Sequence, residues 1–353
     1  MVKILLISPL PREVGGGGIG TWTKHYFESD IATRNVIDIV DTKVIGNRLY
    51  NFTKKNLLEE YKRIKKILGQ LKSKLKQNRY DIVHINTSCS TGGMFRDYLC
   101  IKLIKKTQSK IILHCHCDTK HRVQRGISTM LFKRICRLSD KIFSLNKSSH
   151  EHIKRLTGLE SSLIPNFIDG EVINETESRP IADNIKNIIF VGHIMKSKGC
   201  DDIISVAREM SHINFKMVGF LSEEIRMLKS SENVEFIGEI SKQRVFEEMV
   251  KADLLLFPTH TEGFPNVVLE AMACGLPIIS TPVGAIPDMI EDKGGILVDV
   301  GDVDGIVNAI NSLQDKTLRK KMSDWNREKV KRAYTIDVVM DEIFQEYRSL
   351  MEE

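Results

Sequence analysis

Residues 261–277 read Thr261-Glu262-Gly263-Phe264-Pro265-Asn266-Val267-Val268-Leu269-Glu270-Ala271-Met272-Ala273-Cys274-Gly275-Leu276-Pro277. The stretch is a tight turn feeding a short helix, with one carboxylate ahead of the helix and one on it. Proline suits the first helical position, where its missing N–H would have no partner, so Pro265 is expected to open the helix. From Val267 to Ala273 the residues are apolar and helix-tolerant, broken only by Glu270. Gly275 stands where a left-handed cap is wanted, and Pro277 blocks continuation. Just upstream, Ala252-Asp253-Leu254-Leu255-Leu256-Phe257-Pro258 has the length and apolarity of a buried parallel strand. A strand, a turn and a helix start form an anion site, because backbone N–H groups and the positive end of the helix dipole converge there.

Working outward, strand-like runs alternate with helical patterns along the 353 residues. In the first half the runs are Val2–Ser8, Ile37–Val40, Ile82–Asn86, Ile111–Cys117 and Lys141–Leu145. The second half offers Asn187–Val191, Phe215–Val218, Val234–Ile237, Leu254–Pro258, Pro277–Thr281 and Ile296–Val298. Such alternation marks an α/β protein with parallel sheets, and two sets imply two doubly wound domains with ligand at the carboxyl ends of the strands.

Two glutamates beside a phosphate-type site need a reason, since a carboxylate repels phosphate. They suit sugar hydroxyls, which donate hydrogen bonds to carboxylate oxygens. The arrangement implies a nucleotide carrying a ribose and a second sugar. Alone, a Glu-x7-Glu spacing is most simply a solvated Glu270 and turn chemistry at Glu262. In context, the segment from Asn233 to Leu297, with Gly275-Leu276-Pro277-Ile278-Ile279-Ser280-Thr281 and Val283-Gly284-Ala285-Ile286-Pro287-Asp288-Met289-Ile290, resembles the C-terminal half of retaining glycosyltransferases of family 4.

That resemblance spans nearly all of the chain, weakest over residues 41–80, and implies the GT-B fold: two Rossmann-like domains facing across a cleft. It places an N-terminal acceptor-side domain at 1–169, ending in Pro165-Asn166-Phe167-Ile168-Asp169, and a linker at 170–186. A donor-nucleotide domain follows at 187–335, and a C-terminal helix at 336–353 crosses back to the first domain. By the same resemblance Glu270 holds the ribose and Glu262 a hydroxyl of the transferred sugar, while the amides from Phe264 through Pro265 and Asn266 to Val267 receive the diphosphate. In Gly192-His193-Ile194-Met195-Lys196-Ser197-Lys198-Gly199, Lys198 matches the family's phosphate-binding lysine. His193 replaces an arginine there; imidazole is neither permanently charged nor forked. Gly17 and Gly18, in Val14-Gly15-Gly16-Gly17-Gly18-Ile19-Gly20, let backbone approach the donor phosphates, and His116 meets the transferred sugar. The base is expected near Ile237-Gly238-Glu239-Ile240. Lys198, Glu262 and His116 are thus the candidate catalytic residues, with no metal and no cofactor, the nucleotide-sugar being a substrate. UDP-sugars are favoured, GDP-mannose next, with hexosyl or N-acetylhexosaminyl transfer into surface polysaccharide or glycolipid.

Charge is uneven. Residues 1–170 hold 31 Lys+Arg against 14 Asp+Glu, and residues 171–353 hold 21 against 32, within an overall +6. A basic half attracts something anionic. Residues 54–77 form a basic amphipathic segment, either packed on the first sheet with a wet basic face or lying on anionic lipid. No aromatic platform interleaves the basic residues, which argues against nucleic acid. Seven cysteines without a paired CxxC spacing suggest reduced thiols and a cytoplasmic chain, peripheral on the inner membrane face. In His114-Cys115-His116-Cys117 the histidines face one way along a strand and the cysteines the other, so zinc is not expected. The N-terminal Met1–Pro9 stretch reads as a core strand rather than a leader. Three rival readings stay open: an NAD-dependent oxidoreductase using Gly15, Gly17 and Gly20, a sugar-nucleotide epimerase of the same fold, and a non-catalytic membrane adaptor.

Overall fold

The computed structural model describes residues 2–11, 18–43, 57–176 and 180–352. They fall into two compact units, residues 1–166 with 336–353, and residues 167–335.

In the first unit six parallel strands, β1 (Lys3–Ser8), β2 (Val36–Asp41), β3 (Ile82–Thr87), β4 (Lys110–Cys115), β5 (Lys141–Ser144) and β6 (Ser162–Leu163), lie in the order β2-β1-β3-β4-β5-β6. The two-residue β6 is too short to leave a sequence pattern. Strand β4 ends at Cys115, not at Cys117 as expected; His116 follows it, its N–H still donating to Thr87 O at 2.9 Å. Successive side chains alternate between faces. One face sends Leu5, Ile7, Val83, Ile85, Ile111 and Leu113 into a core with helices Leu57–Gln77, Thr91–Ile104 and Ile127–Leu138. Of the expected basic segment, residues 54–56 lie outside the described residues, and Lys74 bonds Asp38 at 2.8 Å instead of standing free. The other face carries His84, His114 and Phe143, packed against Trp22 of helix Gly18–Glu28 and Tyr347 of helix Ile336–Glu352.

The second unit holds β7 (Asn187–Val191), β8 (Asn214–Val218), β9 (Val234–Gly238), β10 (Leu254–Phe257), β11 (Ile278–Ser280) and β12 (Gly295–Leu297), all parallel, in the order β12-β11-β10-β7-β8-β9. Strand order reverses between β7 and β10, the place where open α/β sheets take ligands. The unit begins after Asn166, three residues before the expected boundary, because Ile168 N donates to Tyr334 O at 2.9 Å and Ile168 pairs with Thr335. Within the expected linker 170–186, Glu171–Thr176 is helical and lies against helix Asn266–Ala273, while residues 177–179 are outside the described residues.

Candidate functional site

In the second unit the loops after β7 and β10 bring together most of the expected residues. Beyond β10 the chain turns through Thr259 to Pro265 into helix Asn266–Ala273. Pro265 is the cap rather than the first helical residue: its φ of −75° and ψ of 110° are extended, and its carbonyl accepts from Val268 at 3.1 Å and Leu269 at 3.4 Å. Lacking an N–H, it offers a ligand no donor, so Asn266 and Val267 head the positive end of the helix. The far end closes as a Schellman motif, with Gly275 at φ 67°, Gly275 N on Met272 O and Leu276 N on Ala271 O, both 2.9 Å.

The Glu262 turn is held from beneath. Thr281 Oγ1 donates to Thr259 O, and Ala285 N donates to Gly263 O at 2.8 Å. Gly284 has φ +60°, and a Cβ there would lie 2.4 Å from Glu262 O and 2.7 Å from Gly263 O. Only glycine lets the β11 loop approach this closely.

Lys198 lies on a short 3-10 turn, Lys196–Lys198, after β7. His260 N donates to Ser197 O at 3.1 Å, and Gly199, at φ +67°, passes so near the end of β10 that a Cβ would be 2.1 Å from Pro258 O. That stitching delivers Lys198 Nζ to Glu262 Oε1 and, at 3.1 Å, to Thr261 O. The two side chains are each 20% exposed. His193, in the same loop, is exposed, its ring edge towards Phe220 with centroids 6.3 Å apart. Glu270 is mostly buried on its helix, with Lys242 Nζ at 3.8 Å. Burial raises its carboxyl above the ordinary range, and Lys242 pulls it partly back.

Sequence reasoning missed how the neighbouring strands end. Gly192, Gly219 and Gly238 close β7, β8 and β9, each with positive φ. Gly192 N donates to Val218 O and Gly219 N to Gly238 O, both at 2.9 Å. A Cβ at Gly219 would stand 2.0 Å from Gly192 O, so backbone alone lines this edge. A glycine after each apolar run was the available signal. The expected base segment Ile237–Ile240 lies at this edge, at the end of β9.

In the first unit, Gly18 starts helix Gly18–Glu28, whereas Gly15, Gly16 and Gly17 lie outside the described residues. His116 is half-buried beside Trp22, ring centroids 5.3 Å apart, and its ring lies tilted by 35° against His114, centroids 4.0 Å apart. Its Nε2 meets Asn86 Oδ1 at 2.9 Å. Desolvation, with His84 adding repulsion, lowers its pKa to about 3, so the ring is neutral. The cysteines lie on the opposite face: Cys115 is buried in the helical-side core, Cys117 packs against it, and all seven are free. Among the described residues no group of His, Cys, Asp or Glu is placed to hold a metal ion.

Two family models match in succession, Glycosyltransferase Family 4 over residues 24–172 and Glycosyl transferases group 1 over residues 172–329. N-acetyl-alpha-D-glucosaminyl L-malate synthase of Bacillus anthracis is 29% identical over 216 residues, 56% of this chain and 56% of that protein. The capsular polysaccharide biosynthesis glycosyltransferase CapM of Staphylococcus aureus is 28% identical over 199 residues, 53% of this chain and 52% of its own length. These matches thus span little more than half the length of either curated relative. A solved structure of Anabaena HepE in complex with UDP aligns with a TM-score of 0.75 at 13% identity, over 98% of this chain and 100% of that one, which shows the same fold.

Proposed function

We propose that this chain, which belongs to the GT-B glycosyltransferases, moves a sugar from a nucleoside diphosphate to a hydroxyl acceptor with retention of anomeric configuration. The observation that carries the reading is the placement of Lys198, Glu262 and the start of helix Asn266–Ala273 together at the switch point between β7 and β10. Lys198 and the amides of Phe264, Asn266 and Val267 neutralise the leaving diphosphate. This is stabilisation of charge as it develops, the largest contribution such a site offers. Glu270 receives the ribose hydroxyls, Glu262 a hydroxyl of the transferred sugar, and His116 a further hydroxyl. Positive charge supplied by the protein makes a divalent ion unnecessary. Retention does not require Glu262 as a nucleophile, since a hydroxyl contact accounts for its position equally well.

A UDP-sugar is the proposed donor, in keeping with the UDP complex of the structural neighbour. Surface polysaccharide or glycolipid is the proposed product, in keeping with the capsular relative. A thermal-shift panel of UDP-, GDP- and ADP-sugars tests this, because a true donor stabilises the fold by mass action. A rise confined to UDP-sugars and undiminished by EDTA is expected. No rise with any sugar nucleotide ends the reading, and conversion of the donor sugar without acceptor would indicate epimerase chemistry instead.

An anionic membrane surface is the proposed place of action. In the first unit Leu58, Tyr61, Ile127 and Met130 are 61%, 64%, 67% and 60% exposed. Lys62, Lys65, Lys66, Arg122, Arg125 and Arg134 are exposed on the same or adjoining segments. Among the described residues no helix is long and apolar enough to cross a membrane. Vesicle flotation decides the matter: recovery with anionic but not neutral liposomes is expected, and equal recovery removes the membrane.

A further inference from the structure

A chain of hydrogen bonds in the first unit has one direction in which every link carries a proton. It starts at a backbone carbonyl, which can only accept. Thr23 Oγ1 donates to Ile19 O at 2.9 Å, spending its single proton. Ser8 Oγ lies 2.5 Å from Thr23 Oγ1, so the proton between them belongs to Ser8. Ser8 must then accept from its other neighbour, and that neighbour is Asn86 Nδ2 at 2.9 Å. With its amino group so placed, Asn86 turns Oδ1 to His116 Nε2 at 2.9 Å, and His116 must be the donor. The flipped amide is disfavoured: Ser8 would donate to Asn86, leaving two protons for three links, so that either Ser8 and Thr23 at 2.5 Å or Thr23 and Ile19 O at 2.9 Å would face each other with no proton between them. Ser8, Thr23 and Asn86 are at most 1% exposed, so water does not offer an alternative partner.

We propose that this one-way relay from Ile19 through Thr23, Ser8 and Asn86 fixes His116 as the Nε2–H tautomer, so that its Nδ1 lone pair selects a hydroxyl donor on the bound sugar. The selection rests on the function proposed above; the relay does not. Nδ1 has no partner among the described residues, and the ring is half-buried rather than enclosed. The titratable groups around it are His84 from β3 and His114 from β4, with Trp22 from helix Gly18–Glu28. All are neutral, and both histidines have lowered pKa values, so nothing nearby stabilises a second ring proton. Asn86 is thus a positioning residue: it acts on the sugar only through His116.

Histidine-selective ¹⁵N NMR of the whole chain tests the relay with no substrate present, the His116 signals being assigned by their loss in His116→Gln. A protonated Nε2 and a bare Nδ1 from pH 6 to 8 are expected; an Nδ1–H or mixed tautomer overturns the relay. Asn86→Asp keeps the acceptor but supplies a charge that stabilises imidazolium, so the ring should titrate within that range, and an unchanged titration also overturns it. Ser8→Ala, a smaller change, should introduce the Nδ1–H form, and a pure Nε2–H signal would remove Ser8 and Thr23 from the argument. Substrate selection is read from kcat/KM for hydrolysis of UDP-glucose and UDP-N-acetylglucosamine. Wild type should be flat from pH 8 to 6, whereas Asn86→Asp should fall by about tenfold for each pH unit below its new His116 pKa. If the NMR results hold and the Asn86→Asp profile is flat, the relay stands and the role of His116 towards the sugar is overturned.

Discussion

Lys198 and Glu262, 64 residues apart, are bonded to each other, although each was expected to grip a different part of one ligand. The ion pair neutralises both side chains. A donor bound as proposed would take Lys198 over with its phosphates and free the carboxylate for a sugar hydroxyl. Lys198→Ala should therefore lower kcat/KM for the donor by about 10²–10³-fold, the usual cost of losing one charge-stabilising group. Because the pair is partly exposed, the same substitution should change stability by less than about 1 kcal/mol. Steady-state kinetics and a melting curve check both halves. Intact activity, or collapse of the fold, would remove Lys198 from the phosphate.

Gly284 supports the other partner of that pair. Its φ of +60° and the 2.4 Å between a built Cβ and Glu262 O mean that Gly284→Ala must push the Glu262 turn away. Strain of this kind costs about 1–3 kcal/mol. Gly301→Ala is the matched control, with φ +78° and no atom within 4 Å of its built Cβ. Both variants should lose stability, but only Gly284→Ala should also lose at least about tenfold in kcat/KM, that is, more than 1.4 kcal/mol of transition-state binding. Equal activity in the two variants contradicts the link between the β11 loop and the site.

How much of this was legible in the sequence depended on separation along the chain. The strands, the Glu262–Glu270 turn and the left-handed Gly275 are local, written in apolar runs and in glycine and proline placement. Pro265 was misplaced by one residue, because an N-cap and a first helical position differ only in ψ. What stayed hidden is long-range. His84 Nδ1 meets Tyr347 OH at 2.6 Å across 263 residues, and Asn86 meets Ser8 across 78. No periodicity announces such pairs. A polar residue at the end of a buried strand, as at Ser8, Asn86 and Ser144, was a faint sign that something buried must satisfy it.

Glu270 sets stability against binding. Burial raises its pKa, so the charged form is penalised in the folded state once pH exceeds the ordinary carboxylate range. Glu270→Gln should then melt higher than wild type at pH 7, with the gain shrinking as pH falls towards about 4.3 and gone below it, where the unfolded glutamate is itself protonated. Donor affinity should move the other way. Hydrogen bonds to a charged group contribute about 1.5–3 kcal/mol, so Kd should rise by at least about tenfold. Melting curves at the two pH values, with calorimetric titration of the donor, test the pair of effects. A variant that is less stable at pH 7 would show that the carboxylate serves the fold.

The three histidines of the first unit make an acid-sensitive core. His84 and His114 are fully buried, His116 is half-buried, and desolvation lowers all three, His84 and His116 to about 3. A lowered histidine pKa stabilises the fold above the unfolded value near 6.5, and that contribution is lost as pH falls through 6.5 towards the folded value. By pH 5 His84 and His116 should each have withdrawn about 2 kcal/mol. Melting temperature should thus fall steeply from pH 7 to 5, and unfolding at pH 5 should take up about three protons, measurable from the buffer dependence of the calorimetric heat. Tyr347→Phe leaves His84 Nδ1 without its 2.6 Å partner and should destabilise by about 1–3 kcal/mol at pH 7, while leaving the proton uptake unchanged. A flat melting temperature across this range would mean that the histidines are charged in the folded core, and the neutral ring required of His116 would be lost with them.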